Sequence, residues 1–279
     1  MDLLLGLAAA HLAVLTPAES QRYGLRAVDY QNRALSGFNL VLQNPHPDDE
    51  SLLAMFVFSA YLGILEVAIS RTAGASQKHS FVETMCALTR LFRGSQFVMK
   101  KAKEVMSDET WKSIFRDDDS KLRLRHQTID HDDFPMPDGE SLDDMLAEID
   151  SFLPMQVDSH HSSSPRDGSA DGREQAVKYL RRLTAIQVPD GRAAQLLSWP
   201  AMWTDDFMRD VQEGEPRCEA ILACYGLTLR YLNDRWWAKD FGRDLVLEVA
   251  SGSSSLVLGP FYTQLLGMME SSSDRSATI

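Results

Sequence analysis

Tyr23, Ala27, Tyr30, Ala34, Phe38 and Val41 return at intervals of three or four residues, the spacing that puts side chains on one face of an α-helix. Phe81, Met85, Leu88, Leu91 and Phe92 repeat the pattern, as do Ile221, Leu222, Tyr225, Leu229, Leu232 and Trp236. Nowhere do Val, Ile and Thr alternate with polar residues over a run long enough for a strand. The expected architecture is therefore all-α, a single helical domain of about ten helices. A chain of 279 residues can bury about three quarters of its extended surface, enough for a core with room for an internal pocket.

Breaks in the pattern set the expected boundaries. Leu3 to Leu15 forms a first apolar element and Pro17 opens a second helix to about Gln43, since proline is tolerated at a first turn. Asn44-Pro45-His46-Pro47 ends it. Asp48, Asp49 and Glu50 fall in the first turn of a third helix running to about Ser70, where carboxylates meet the positive end of the helix dipole. Leu52 to Leu65 is apolar nearly all round and too short for a bilayer, so a central helix buried on all sides is expected and no membrane span. A fourth helix begins near Phe81, with an interruption at Gly94. Residues 116–140 read as an irregular acidic connection, and Ser141 caps a helix to Phe152. A disordered insertion is expected near 156–172, a helix from Glu174 to Ile186, and a disordered tail at 271–279, beyond a domain spanning 1–270.

Charge and cysteine usage exclude several functions. A net charge of −12 repels phosphate backbones, so direct nucleic-acid binding is not expected. The basic run Arg90, Arg93, Lys100, Lys101 and Lys103 is read as a solvated helix face. Cys86, Cys218 and Cys224 form no CxxC and no even disulfide set, and are expected to be reduced and buried in an intracellular protein, cytoplasmic or nuclear. Asp2 and the absence of Lys or Arg at the start argue against a secretory signal.

Short motifs that suggest metal chemistry fail on context. His46-Pro47-Asp48-Asp49-Glu50 looks like the metal-binding motif of zinc-dependent N-acetylglucosamine deacetylases, but it lies between helices instead of at the end of a strand. Asp117-Asp118-Asp119 and Asn233-Asp234 lack the partners that the magnesium motifs of class I terpene synthases need. His126, Asp130, His131 and Asp132 match no defined site spacing, and His160 and His161 are read as solvated loop residues. No metal site and no cofactor are expected.

The richest segment is Trp199-Pro200-Ala201-Met202-Trp203, then Asp206-Phe207, Ala220-Ile221-Leu222-Ala223-Cys224-Tyr225, Trp236-Trp237 and Gly242-Arg243-Asp244-Leu245. With the N-terminal Leu4 to Ala13 and Leu91-Phe92-Arg93-Gly94, these residues resemble, in order and spacing, the effector regions of fungal binuclear zinc-cluster regulators of the sterol-uptake-control type. The resemblance implies the fungal transcription-factor ligand-binding fold, with an apolar, sterol-sized pocket beside the aromatic hairpin. Two features depart from that family. The zinc cluster that precedes the domain there is absent here, and Cys224 stands where histidine usually precedes tyrosine.

Two functions compete. The first is binding of an apolar small molecule, a sterol, terpenoid or similar metabolite, by a regulator-like effector domain without a DNA-binding module. Trp199, Met202, Trp203, Phe207, Ile221, Cys224, Tyr225, Leu229 and Trp236 would form its wall. The second is a metal-independent cyclase or isomerase of secondary metabolism that reuses the pocket, with Asp205, Asp234 or Asp240 as general acid. A homodimer or a protein partner is compatible with either.

Overall fold

The computed structural model describes residues 1–44, 47–72, 80–105, 107, 109, 142–152, 167–185, 196–252 and 258–271. Within them the chain is all-α, with no strand. The helices are α1 (Asp2–Leu15), α2 (Ser20–Leu42), α3 (Asp49–Thr72), α4 (Phe81–Val105), α5 (Leu142–Phe152), α6 (Asp167–Ala185), α7 (Asp205–Gln212), α8 (Pro216–Thr228), α9 (Phe241–Gly252) and α10 (Gly259–Ser271). Short 3-10 turns lie at Pro17–Glu19, Trp199–Met202 and Leu229–Leu232.

Local chemistry explains the ends. Thr16 Oγ1 donates to the Leu12 carbonyl at 2.6 Å as α1 closes, and Pro17 cannot extend it. Asp48 Oδ1 accepts from the Ser51 amide at 2.9 Å at the start of α3. Thr204 Oγ1 accepts from Phe207 N at 3.1 Å over α7, and Glu215 Oε2 from Cys218 N at 2.8 Å over α8. The Asp48, Thr204 and Glu215 caps each satisfy an amide that the helix itself leaves open.

α1 packs against α2 and α3, and α3 in turn against α4. In the C-terminal half α8 is the centre, touching α5, α6, α7, α9 and α10. A single apolar core runs from Leu3 to Met269 through both halves. Polar contacts fasten the halves together, among them those of Glu248 and Arg71. Glu248 of α9 accepts from Ser80 Oγ and the Phe81 amide, both at 2.6 Å, at the start of α4. Arg71 near the end of α3 donates to the Trp236 carbonyl at 2.5 Å.

Several local expectations change. α3 is the one helix among the described residues long and apolar enough to cross a membrane, and 50% of its apolar window is buried inside the fold. Burial is concentrated in its second half, while Val57 and Tyr61 stay exposed. α4 runs unbroken through Gly94, whose missing side chain faces open space. A lone glycine costs only about 1 kcal/mol of helix propensity, which the packed face of a long helix overcomes. α6 begins at Asp167, before the anticipated start at Glu174, with Asp167 and Asp171 near its positive end. Pro45, His46, 116–140, Ser141, 156–166 and 272–279 lie outside the described residues, as do Asp117 to Asp119, His126, Asp130, His131, Asp132, His160 and His161.

The largest change concerns the apolar run that ends at Trp236. α8 stops at Thr228, a 3-10 turn follows to Leu232, and turns lead to α9. Asp240, with φ 61°, makes the final reversal in a left-handed conformation, which an aspartate tolerates better than most residues. The reversal is tight because α8 and α9 meet at Gly226 and Gly242. Leu229, Leu232 and Trp236 therefore do not continue the face of α8, which is instead buried from Ala220 to Thr228.

Candidate functional site

The residues expected to line a pocket form packed core. Trp199 stacks on Tyr225 with centroids 4.4 Å apart. Trp203 meets Trp199 edge-on at 5.1 Å and Phe207 meets Trp203 at 5.1 Å. The polar ends of two rings are satisfied by backbone: Trp199 Nε1 donates to the Ala176 carbonyl at 2.9 Å, and Tyr225 OH to the Leu196 carbonyl at 2.7 Å. Burial pushes the Tyr225 phenol well above its ordinary range, so it stays a neutral donor. Trp203 Nε1 is buried without a hydrogen-bond partner among the described residues. Ile221, Cys224 and Leu229 are also buried, whereas Met202 is partly exposed, as is Trp236, whose ring meets His11 of α1 with centroids 4.5 Å apart. The thiols of Cys86, Cys218 and Cys224 are buried and unlinked.

The three aspartates do not converge. Asp205, with a side chain 83% exposed, pairs with Arg93 of α4, which also donates to the Trp203 carbonyl. That arrangement ties α7 to α4. Asp234, 67% exposed, lies 3.4 Å from its neighbour Arg235. Asp240 has its amide on Asn233 Oδ1 at 3.1 Å. None of these lines a cavity in the aromatic cluster.

An open groove of about 410 Å³ lies elsewhere, between the start of α1, the end of α2 and the first half of α3. Leu3, Ala34, Phe38, Val41, Met55 and Phe58 make its apolar lining, with Gly37 and Ala54 giving it depth. Phe38 and Phe58 stack at 4.5 Å. Beneath the groove sits a satellite core of Leu52, Met55, Val98 and Ala102. Polar groups are few: Ser51, Asp2 and Arg33, the last two 3.6 Å apart. This distance exceeds a hydrogen bond, so the pair is a weak electrostatic contact.

The groove follows from unequal lengths. α1 has 14 residues and α2 has 23, so at about 1.5 Å per residue α2 outruns its neighbour by roughly two turns. The apolar stripe of α2 continues into the overhang as Phe38 and Val41, with no α1 residue to cover it. The signal was present in the periodicity of α2. What it lacked was the way α1 packs along α2.

No protein-family model, curated protein or solved structure matches this chain. The site must therefore be judged on its own chemistry. Among the described residues, no three His, Cys, Asp or Glu side chains cluster as metal ligands.

One titratable group outside the expected set stands out. Asp244, in the first turn of α9, is half-buried, and burial with the neighbouring Asp240 charge raises its pKa above the ordinary 3.8, against the opposing pull of Arg243 and Arg71. The same burial lowers the pKa of Arg71, while Asp240 and Asp244 counteract it. Folding thus favours the protonated Asp244, and ionising it costs stability as pH climbs from 3.8 through the raised value. Asp244→Asn is expected to raise the melting temperature near neutral pH, with the advantage shrinking as pH falls towards about 4. Thermal melts of both proteins across that range would show it; a destabilised variant at neutral pH contradicts the account.

Proposed function

We propose that the chain binds an apolar small molecule, a sterol, terpenoid or similar metabolite, as a regulator-like effector domain, and that the α1–α2–α3 groove is its seat. The observation that carries this reading is the groove itself: about 410 Å³, lined by stacked phenylalanines, methionine and aliphatic side chains with a few polar groups. Ligand sites are typically clefts of about 300–1,000 Å³ with such a lining. The aromatic segment then serves as packed core. The resemblance to the sterol-responsive regulators supports the ligand class, while the packing of Trp199, Trp203, Phe207 and Tyr225 favours the groove over the hairpin as the seat.

The test is a thermal-shift titration of the full chain with ergosterol and with farnesol. A ligand present at about 100 times its Kd adds about 2.7 kcal/mol, which shifts the melting temperature by about 5 °C or more. Gly37→Leu provides the control. Gly37 lines the groove and nothing lies within 4 Å of where its Cβ would stand, so the leucine fills the groove and improves helix propensity. The variant should be at least as stable as wild type and should lose the ligand-induced shift. No shift with either compound, or a full shift in Gly37→Leu, would count against the groove.

A second reading, a metal-independent cyclase or isomerase, has one observation in its favour. Asp244 is a half-buried carboxyl with a raised pKa, coupled through Arg71 to the segment that carries Trp236, and such groups are enriched at catalytic sites. The exposure of Asp205 and Asp234 favours Asp244 over them as the acid. Conversion of a polyene by wild type but not by Asp244→Asn would support this reading.

A further inference from the structure

α1 carries two apolar faces. Leu3, Gly6, Ala10 and Ala13 turn inward to α2 and α3, where the small residues let the helices approach closely. A Cβ on Gly6 would stand 2.9 Å from Leu65 Cδ2. The opposite face, Met1, Leu5, Ala8, Leu12 and Leu15, is exposed throughout, with Leu4 beside it. These five residues are spaced four, three, four and three apart, which is the repeat of a helix whose seam meets another helix. Leu4 and Leu15 are 60% and 62% exposed. On α2, exposed Leu25 and Val28 add to the apolar surface. A contiguous apolar strip of this kind is unusual on a monomer and marks an interaction surface.

We propose that this face of α1 seats a second copy of the chain, with the two α1 helices packed antiparallel about a twofold axis. Charge distinguishes this occupant from the others. Between Asp2 and Glu19 the chain has no acidic residue, Lys or Arg, so α1 lacks the basic polar face by which an interfacial helix grips a lipid surface. The two ends of the hairpin differ in sign. Counting side chains, Asp2 stands where α1 begins, together with Asp29 around one cationic side chain, Arg33. Arg22 and Arg26 stand on the first turns of α2, just beyond the end of α1, against the single acid Glu19. An antiparallel pair lays the acidic end of each copy beside the basic end of the other, and no contact between like ends arises. A twofold contact uses this same strip on both copies, each residue of one meeting its symmetry partner's counterpart from the opposite direction. One helix pair with a few α2 side chains is at the small end of stable interfaces, so the dimer is a reversible one that forms at micromolar concentrations.

Sedimentation equilibrium of the full chain tests this. Wild type should move from its monomer mass of 31.3 kDa to twice that value as concentration rises. Leu4→Glu/Leu15→Glu, at the two most exposed leucines of α1, should remain monomeric with an unchanged thermal melt. Asp2→Arg alone and Arg26→Asp alone should each weaken dimerisation by about two- to thirtyfold, the scale of the two exposed ion pairs that a twofold contact loses. Combined, they should restore it, which only the antiparallel arrangement allows. A wild type that stays monomeric throughout, or a dimer that survives the double leucine substitution, overturns the proposal. So does a monomer that floats with neutral phosphatidylcholine vesicles through these same leucines, which assigns the face to a membrane.

Discussion

Gly242→Ala is expected to destabilise the protein by about 3 kcal/mol or more, at the upper end of what overpacking costs. An ideal Cβ on Gly242 would stand 2.2 Å from the Gly226 carbonyl oxygen and 2.9 Å from Leu229 Cβ. Neither atom is the far end of a flexible side chain. To make room, the backbone of α8 must move away from α9, and α8 is the element on which α5, α6, α7 and α10 also pack. The reciprocal change, Gly226→Ala, meets Val246 Cγ2 at 2.7 Å and the Gly242 carbonyl oxygen at 2.9 Å, so it should also destabilise. Chemical denaturation of both variants would measure the effect. A Gly242→Ala protein within about 0.5 kcal/mol of wild type, the range of a neutral surface substitution, would show that the helices do not cross at these glycines.

Trp199→Ala should cost about 3–5 kcal/mol, as large-to-small changes at buried aromatics do. The ring is fully buried, stacks on Tyr225, and meets Trp203 and Phe207 edge-on. Its removal also deletes the buried hydrogen bond from the indole to the Ala176 carbonyl. The contrast with Trp236→Ala is informative. Trp236 is partly exposed and meets His11 of α1 at a centroid distance of 4.5 Å, and its backbone carbonyl, which holds Arg71, survives the substitution. That change should cost well under half as much. If Trp199 lined a ligand cavity instead, its truncation would impair binding while leaving the melt of the free protein little changed.

Much of the helical order is legible in the residues themselves. The stripe from Tyr23 to Val41 yields α2, and Asp48 with Asp49 and Glu50 marks the start of α3, because periodicity and capping are local properties. The path after Thr228 is not legible in that way. Leu229, Leu232 and Trp236 keep helical spacing, yet a Gly226–Gly242 backbone contact turns the chain back, and such a contact is decided by tertiary packing. Gly94 misleads in the opposite direction, since a local propensity deficit is outweighed by the buried face of α4. The aromatic segment was conspicuous in sequence because large rings are conspicuous, but rings that satisfy one another and the backbone leave little space between them. The groove depends on how α1 lies along α2, a tertiary relation that the two helix lengths do not set by themselves.

On the proposed function, an apolar ligand enters the α1–α2–α3 groove and not the aromatic cluster. Two methionines report on the alternatives: Met55 lines the groove, and Met202 lies at the edge of the cluster, with its sulfur 4.0 Å from Gln96 Nε2. With methyl-labelled methionine, and assignments from Met55→Leu and Met202→Leu, titration with ergosterol can be followed at both positions. The account predicts that the Met55 methyl resonance shifts in proportion to occupancy while Met202 stays in place. A shift at Met202 with Met55 unmoved would contradict it.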